Sequence, residues 1–193
     1  MKNTILLFVC FALLTALFFF SFRGVVEAPQ VAIKDDKIAR GEYIVNTFGC
    51  AFCHTPKKMT DRGPVLDESL WLSGHKTGSP IPQIDKATML KNEWVISNLD
   101  HTAHVGPWGL SYSANITSDP TGIGNWTYEH FRKSMQEGKH KGLDNGRMVM
   151  PPMPWTDYMN MSDDDLESLY AYLRSVKPIK NMVPTVKTLE MMD

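Results

Sequence analysis

An almost unbroken run of apolar residues, Thr4–Phe22, lies near the start of the chain, with Lys2 before it and Arg23 after it. About 19 residues of helix are enough to cross the hydrocarbon core of a bilayer. A secretory signal peptide usually has a shorter apolar region and a small-residue cleavage site; Val26–Ala28 offers such a site, although Pro29 follows it. The pattern therefore predicts an uncleaved signal-anchor helix, with a cleaved signal peptide as the alternative.

Apolar residues recur at helical spacing in three later stretches. These run from Asp35/Asp36 to Phe48, from Thr127 to about Glu137, and from Ser162 to Lys177. In the third stretch Ser162 is a good N-cap, and Pro178 ends the helix. Gly41 lies inside the first stretch, where glycine is unfavourable unless it lets another helix approach closely. This pattern predicts a domain built mainly from helices.

Residues 55–116 are rich in proline and glycine and carry little periodicity. Two weak apolar runs, Trp94–Leu99 and Trp108–Tyr112, predict a small β-hairpin that turns across His101–Gly106. Three histidines of this region, His75, His101 and His104, could each be a sixth ligand to a haem iron, and His101 with His104 could begin another metal site. Because they lack supporting ligands at a suitable spacing, we interpret them as surface or loop histidines.

Composition narrows the class of partner. The 193 residues have a formal net charge of −1, and no basic stripe suggests binding to nucleic acid. The chain contains 12 methionines and 5 tryptophans, whose polarizable side chains suit the wall of a large flat cofactor. Methionine is equally common as core filler, so this composition favours a cofactor only together with a motif that can bind one.

Such a motif is Cys50-Ala51-Phe52-Cys53-His54. Two thiols at this spacing lie on one helical turn, where their sulfurs can form thioethers with the two vinyl groups of one porphyrin. The next side chain, His54, is then placed to bind the iron as its proximal ligand. The motif predicts one covalently bound haem c (heme c), held by Cys50, Cys53 and His54.

Two other interpretations of the motif are weaker. A thioredoxin-like redox pair normally lies in a βαβ context and does not need the histidine. A zinc site needs a second pair of ligands at short spacing, whereas the third cysteine, Cys10, lies inside the apolar run. We therefore favour haem attachment.

The segment Met148–Trp155 contains three prolines, which fix the backbone and cannot continue a helix. A rigid loop of this kind can hold a thioether against iron, because methionine is a weak ligand that must be kept in place. Since prolines flank it on both sides, Met153 is the predicted distal ligand, followed by Met150 and then Met148. The alternative is that these methionines only fill the core.

The order of these features resembles a class I cytochrome c domain: helix, Cys-x-x-Cys-His, middle helix, Met loop and C-terminal helix. Shorter blocks resemble the monohaem domains of membrane-bound dehydrogenase cytochrome subunits. These blocks are Gly41–Tyr43, His54–Pro56, Ala114–Thr117, Thr121–Thr127, Met153–Trp155 and Leu169–Leu173. The similarity covers residues 36 to 185. It departs from the family pattern in residues 57–113 and in having one haem motif where several are usual.

The resemblance implies an all-α, cytochrome c-like haem domain in which the first and last helices cross, with Gly41 against the Tyr172 face. It also implies that Met153 is the distal ligand and that Asn115 and Trp126 lie near the haem edge or the propionates. The expected organisation is a signal-anchor helix at 1–23, a linker at 24–35, a cytochrome c domain at 36–180 and a C-terminal tail at 181–193.

The implied function is single-electron transfer rather than enzyme catalysis. The chain would carry electrons between respiratory complexes, from a quinol-oxidising or dehydrogenase complex to a terminal oxidase, or would be a subunit of such a complex. Because c-type haem is attached outside the cytoplasmic membrane, we expect a single-pass inner-membrane protein with a periplasmic haem domain, or a periplasmic protein if the signal is cleaved. The alternatives are a haem enzyme or gas sensor with an open distal iron site, and a structural subunit.

Overall fold

In a computed structural model, which describes residues 30–81, 85, 87 and 94–192, two α-helices are followed by five short strands and then by three more α-helices. Helices α1 to α5 of this part are Gln30–Thr47, Cys50–His54, Tyr128–Gln136, Trp155–Tyr158 and Asp163–Ser175. Strands β1 to β5 are Lys57–Thr60, Gly63–Leu66, Ile96–Ser97, Ala103–Gly106 and Gly109–Tyr112. The chain divides into two compact units, 1–34 and 35–193, and the domain limits expected from the sequence stay a prediction.

The predicted all-α class is wrong, because two small antiparallel sheets accompany the helices. Strands β1 and β2 form a hairpin shortly after the cysteine motif, with Lys57 opposite Leu66 and Thr60 opposite Gly63. Gly63 has a φ of 100°, which glycine adopts without strain. These strands have four residues each and are largely exposed, so their sequence shows no alternation of apolar and polar positions. The fold is mixed α and β.

The second sheet also differs from the predicted hairpin. Its strand order is β3-β4-β5, so residues 103–106, which the pattern assigns to the connecting turn, form the central strand. The turn is instead Gly106–Gly109, in which Pro107 fixes its own φ and Gly109 adopts a φ of 102°. The residues that favour a turn, Pro107 and Gly109, therefore determined the strand register more strongly than the weak apolar runs did.

Among the described residues, no helix combines the length and the apolar character needed to span a membrane. The signal-anchor helix expected at Thr4–Phe22 lies outside the described residues. The expected single-pass location in the inner membrane is therefore wrong for the described residues, since none of their helices could span a membrane.

Helices α1, α3 and α5 pack around the main hydrophobic core. The large buried side chains that these helices contribute to it are Ile44, Val45, Phe131, Met135, Leu166, Leu169 and Leu173. Burying a side chain of this size contributes about 1.5–3 kcal/mol. Ala51 of α2 is buried in the same cluster. The helix that carries the cysteine motif is thus part of the core.

Gly41 allows α1 and α5 to approach closely. A Cβ atom at Gly41 would lie 2.1 Å from the Ser168 carbonyl oxygen and 2.6 Å from the Tyr172 Cβ. No larger residue fits there unless a helix moves, which confirms the predicted crossing of these helices at Gly41. An exposed ion pair of 2.7 Å between Arg40 and Asp165 lies beside the crossing and adds little stability.

The C-terminal tail continues the second sheet. Lys187 and Leu110 exchange two backbone hydrogen bonds of 2.8 and 2.9 Å. Leu189 and Met192 then pack against Leu110 and Val105. The tail therefore covers the free edge of β5, which would otherwise expose unpaired backbone groups.

Candidate haem-attachment site

Cys50 and Cys53 lie on the single turn of helix α2. Gly49 precedes this helix with a φ of 82°, a left-handed conformation that turns the chain sharply out of α1. The Phe52 and Cys53 amides donate to the Gly49 carbonyl at 3.2 and 3.4 Å. Both thiols are free. The local fold therefore presents two unpaired sulfurs and His54 on one short helix.

His54 is buried and fixed in orientation by a residue far along the chain. Its Nδ1–H donates to the Ala114 carbonyl at 2.7 Å, which leaves Nε2 as the available ligand atom. No residue in the described part of the chain forms a hydrogen bond with Nε2. Burial lowers the pKa of His54, so the ring is held in the neutral form that binds metals. Metal-bound histidines commonly donate their other ring N–H to a carbonyl in this way.

The two thiols are protonated at neutral pH. Burial raises the pKa of Cys50 to about 11, and burial also raises the pKa of Cys53. A reactive redox pair requires the opposite, because the thiolate is the nucleophile and its pKa is lowered in such proteins. Two neutral thiols beside a neutral, oriented imidazole are therefore a donor set that fits a c-type haem better than a thioredoxin-like pair.

The predicted Met loop lies between α3 and α4 and contacts the core that contains α2. Met153 is half-buried and packs against the same hydrophobic cluster as Cys50. Met150 is also half-buried, whereas Met148 is exposed. The Met153 amide donates to the Met150 carbonyl at 3.3 Å. Burial thus separates Met148 from the other two candidates, and ligation by Met153 stays a prediction.

Polar contacts from other elements hold this loop, and no pattern of residue types along the chain signals them. The Ser111 hydroxyl donates to the Pro151 carbonyl at 2.6 Å. The Tyr158 hydroxyl donates to the Phe48 carbonyl at 2.9 Å, just before the cysteine motif. Burial and, to a lesser extent, the nearby thiols raise the pKa of Tyr158 to about 12. The loop is therefore connected to β5, and the helix α4 that follows it is connected to the attachment segment.

Asn115 organises the segment that orients His54. Its side-chain amide donates to the Thr121 hydroxyl at 3.1 Å and to the Ile179 carbonyl at 2.8 Å. Its side-chain oxygen accepts from the Thr117 amide at 3.0 Å. Protein groups therefore satisfy the hydrogen-bonding atoms of this buried side chain. Its role in the structure is to fix the backbone next to Ala114. A contact with haem stays a prediction.

Trp126 is half-buried against the main core. Its amide donates to the Ile123 carbonyl at 2.9 Å, and its carbonyl accepts from the Tyr170 hydroxyl at 2.7 Å. The structure therefore places Trp126 at the start of α3, in contact with residues of the same cluster as Met153. Its predicted position at the haem edge is not tested by these contacts.

The three histidines of the middle region occupy different environments. His75 and His104 are buried, which corrects their interpretation as surface residues, although His75 lies in a loop. The Nδ1 atom of His75 lies 2.9 Å from the Thr102 hydroxyl. The Nδ1 atom of His104 lies 2.7 Å from the Ser97 hydroxyl. His101 is half-buried in a loop.

A small cluster around Lys57 joins the second sheet region to α2. The Lys57 ammonium group donates to the Phe52 carbonyl at 2.6 Å and to the Asp100 carbonyl at 2.5 Å. It also lies 4.3 Å from the centre of the Phe52 ring, and the His101 ring lies 4.7 Å from the same ring. Burial lowers the pKa of Lys57. These contacts tie the inserted region 57–113 to the attachment helix.

Comparison with known proteins finds no family model that matches the chain, but it does find related proteins. The chain is 31% identical to the cytochrome c subunit of a quinone alcohol dehydrogenase from Gluconobacter oxydans, over 153 residues, 77% of this chain and 24% of that protein. It is 31% identical to the cytochrome subunit of a fructose dehydrogenase from Gluconobacter japonicus, over 164 residues, 84% of this chain and 26% of that protein.

The chain is also 30% identical to the cytochrome c subunit of a gluconate 2-dehydrogenase from Pantoea cypripedii, over 155 residues, 77% of this chain and 26% of that protein. The chain thus spans about a quarter of the length of these curated relatives. The matches confirm the resemblance to dehydrogenase cytochrome c subunits that the sequence blocks indicate.

Proposed function

We propose that the chain is a c-type cytochrome that transfers single electrons as a subunit of a dehydrogenase, because it resembles the cytochrome c subunits of such enzymes. It would carry one haem c, since the sequence contains a single Cys-x-x-Cys-His motif. Cys50 and Cys53 would attach the porphyrin, His54 would bind the iron, and Met153 would be the second axial ligand. The immediate donor would be a dehydrogenase partner, and the acceptor a respiratory complex or terminal oxidase.

The arrangement of His54 carries this proposal. The Ala114 carbonyl holds the imidazole through Nδ1 at 2.7 Å, and burial keeps the ring neutral. The same five-residue helix supplies two free, protonated thiols. A neutral, oriented ligand that follows two thiols on one turn meets the chemical requirements for covalent haem attachment.

Met153 supports an electron carrier rather than an open iron site. Its side chain packs against the same core cluster as Cys50. Ser111 donates to the loop at Pro151, and Tyr158 connects the following helix α4 to Phe48, before the cysteine motif. A bound haem supplies the one-electron couple between ferric and ferrous iron, and a His/Met ligand pair favours the reduced state. With both axial positions held by protein side chains, no small molecule needs to bind iron, which suits electron exchange rather than catalysis.

Haem attachment and electron exchange can be tested on the full chain, produced in cells that attach c-type haem. We expect a reduced alkaline pyridine spectrum of a doubly thioether-linked haem, one haem per chain, and reduction by a dehydrogenase partner with its substrate. Cys53→Ala should prevent stable attachment, whereas Cys10→Ala, the control cysteine outside the motif, should not.

The proposal would be overturned by a wild-type chain that lacks covalent haem under these conditions. Rapid, tight binding of carbon monoxide to the reduced wild-type protein would contradict the closed axial site and favour a haem enzyme or gas sensor.

A further inference from the structure

Strand β5 contacts the Met loop directly. The Ser111 hydroxyl donates to the carbonyl oxygen of Pro151 at 2.6 Å, across 40 positions of sequence. Pro151 lies two residues before Met153. The hydrogen bond is buried on the Ser111 side, where competition from water is weak and the loss of a partner is costly.

The structure around Ser111 orients this hydroxyl. The Trp108 indole Nε1–H donates to the Ser111 oxygen at 3.1 Å. The hydroxyl proton has two carbonyls in reach, and Pro151 at 2.6 Å is much nearer than His104 at 3.4 Å. The indole can fold back in this way because Gly106 has no side chain. A Cβ at Gly106 would lie 2.5 Å from the Trp108 ring. The Gly106–Gly109 turn thus builds a chain of hydrogen bonds from Trp108 through Ser111 to the loop.

The Met loop has few donors with which to hold itself. Pro151 and Pro152 have no backbone N–H. Before them, the Val149 amide donates to the Gly138 carbonyl at 2.7 Å. After them, the Met153 amide makes a long hydrogen bond of 3.3 Å within the loop. In the described structure, Ser111 is the residue that holds the proline pair from outside the loop.

We propose that Ser111 is a positioning residue for the distal iron ligand. By fixing the Pro151 carbonyl, it keeps the loop closed and so holds the Met153 thioether in place for the iron. This inference rests on the proposed function, in which Met153 binds the iron. It gives part of the inserted region 57–113, which departs from the pattern of related cytochromes, a defined role as a brace for the Met loop.

The test compares variants of the ferric holoprotein by titration with imidazole, which can bind the iron only when the Met loop opens. Ser111→Ala should raise the apparent imidazole affinity about fivefold, because losing one hydrogen bond of ordinary net strength increases the open fraction by about that factor. Ser111→Thr keeps the hydroxyl and should restore affinity close to the wild-type value. Trp108→Phe removes the indole donor and should give a smaller shift in the same direction.

Ser118→Ala is the matched control. The Ser118 hydroxyl donates to the Val176 carbonyl at 2.5 Å, a bond of the same kind that does not involve the Met loop. It should lower overall stability without changing imidazole affinity. Equal affinities in Ser111→Ala and Ser118→Ala would overturn the positioning role. If Ser111→Ala does not fold, an unshifted Trp108→Phe would overturn it instead.

The absorption band that reports sulfur-to-iron charge transfer separates this inference from the proposed function. If the wild-type ferric protein lacks the band, methionine ligation itself is wrong and the role of Ser111 is lost with it. If the wild type shows the band and only the imidazole result is negative, the proposed ligand stands and the inference about Ser111 alone is wrong.

Discussion

The attachment helix and the Met loop are held by different kinds of interaction. Helix α2 is part of the main core through Ala51, and His54 is only 8% exposed. The Met loop is largely irregular and is held by individual hydrogen bonds, those from the Ser111 hydroxyl to Pro151 and from the Val149 amide to Gly138 among them. Core packing contributes several kcal/mol per helix, whereas each such hydrogen bond contributes about 1 kcal/mol.

This difference indicates how the two sides should respond to change. Damage on the attachment side should affect whether a stable holoprotein forms at all. Damage on the Met loop should leave the fold and the covalent haem in place, and should alter only the ligation of the iron. In the proposed function, the attachment side would determine assembly, and the loop would adjust the properties of the iron.

The largest expected effect is that of His54→Ala. The change removes the proximal ligand and the hydrogen bond of 2.7 Å to the Ala114 carbonyl, whose loss alone costs about 0.5–1.5 kcal/mol. We expect little or no stable holoprotein, measured as covalently bound haem after denaturing electrophoresis. His101→Ala, a change in a half-buried loop histidine, should retain haem. Normal haem content in His54→Ala would show that the attachment side does not determine assembly.

Met153→Ala should leave the haem attached but change its iron. Without the thioether we expect a high-spin ferric spectrum and a lower reduction potential, a shift within the roughly 0.8 V range that axial ligands set. Spectroscopy and potentiometric titration measure both. Met148→Ala is the control, because Met148 is exposed. If Met150→Ala produced these changes while Met153→Ala had no effect, Met150 would be the ligand.

Gly41→Ala should destabilise the core around the attachment helix. The added Cβ would meet the Ser168 carbonyl at 2.1 Å, and overpacking of this kind typically costs about 1–3 kcal/mol. The free energy of unfolding in denaturant measures the loss. Gly146→Ala is the control, because the nearest atom to its added Cβ lies 3.2 Å away. A loss no greater than that of the control would show that α1 and α5 can separate at little cost.

The smallest expected effect is a change in how the free energy of unfolding depends on pH, caused by a histidine close to the Met loop. Burial lowers the pKa of His140, in the turn before the Met loop, from 6.5 to about 4. As the pH falls from 6.5 to 4, the unfolded chain binds a proton that the folded chain does not, so the free energy of unfolding decreases. We expect His140→Gln to reduce this decrease in denaturant unfolding measured across that range. An unchanged pH profile would exclude His140 as its source.

The sequence predicts an element well when the residues that determine its start and end are adjacent to it in the chain. Helix α5 begins as predicted and ends at Ser175, two residues before the predicted Lys177. Its signals are adjacent to it: the Ser162 hydroxyl accepts from the Asp165 amide at 3.2 Å, and Pro178 follows. The sheets escape prediction because their strands are short and depend on turns and on distant partners. β5, for example, is completed by Lys187, which lies 77 positions after Leu110.

Burial is the property that the sequence predicts least well. The local pattern favours a surface or loop position for His75, yet it is 2% exposed, and its ring lies 4.8 Å from the Tyr112 ring. Nothing adjacent to His75 in the sequence signals this, because the groups that cover it come from the second sheet. The same reason explains why Ser111 and Tyr158 do not stand out in the sequence: each contacts a backbone carbonyl, which any sequence provides.

The sequence by itself determined the chemistry of attachment, because the spacing of Cys50, Cys53 and His54 is a property of one helical turn. Only the tertiary structure decided how that chemistry is held in place. The carbonyl that orients His54 lies 60 residues away, and the hydroxyl that braces the Met loop lies 40 residues before it. Such contacts depend on how the strands and helices meet, and no local pattern of residue types encodes them.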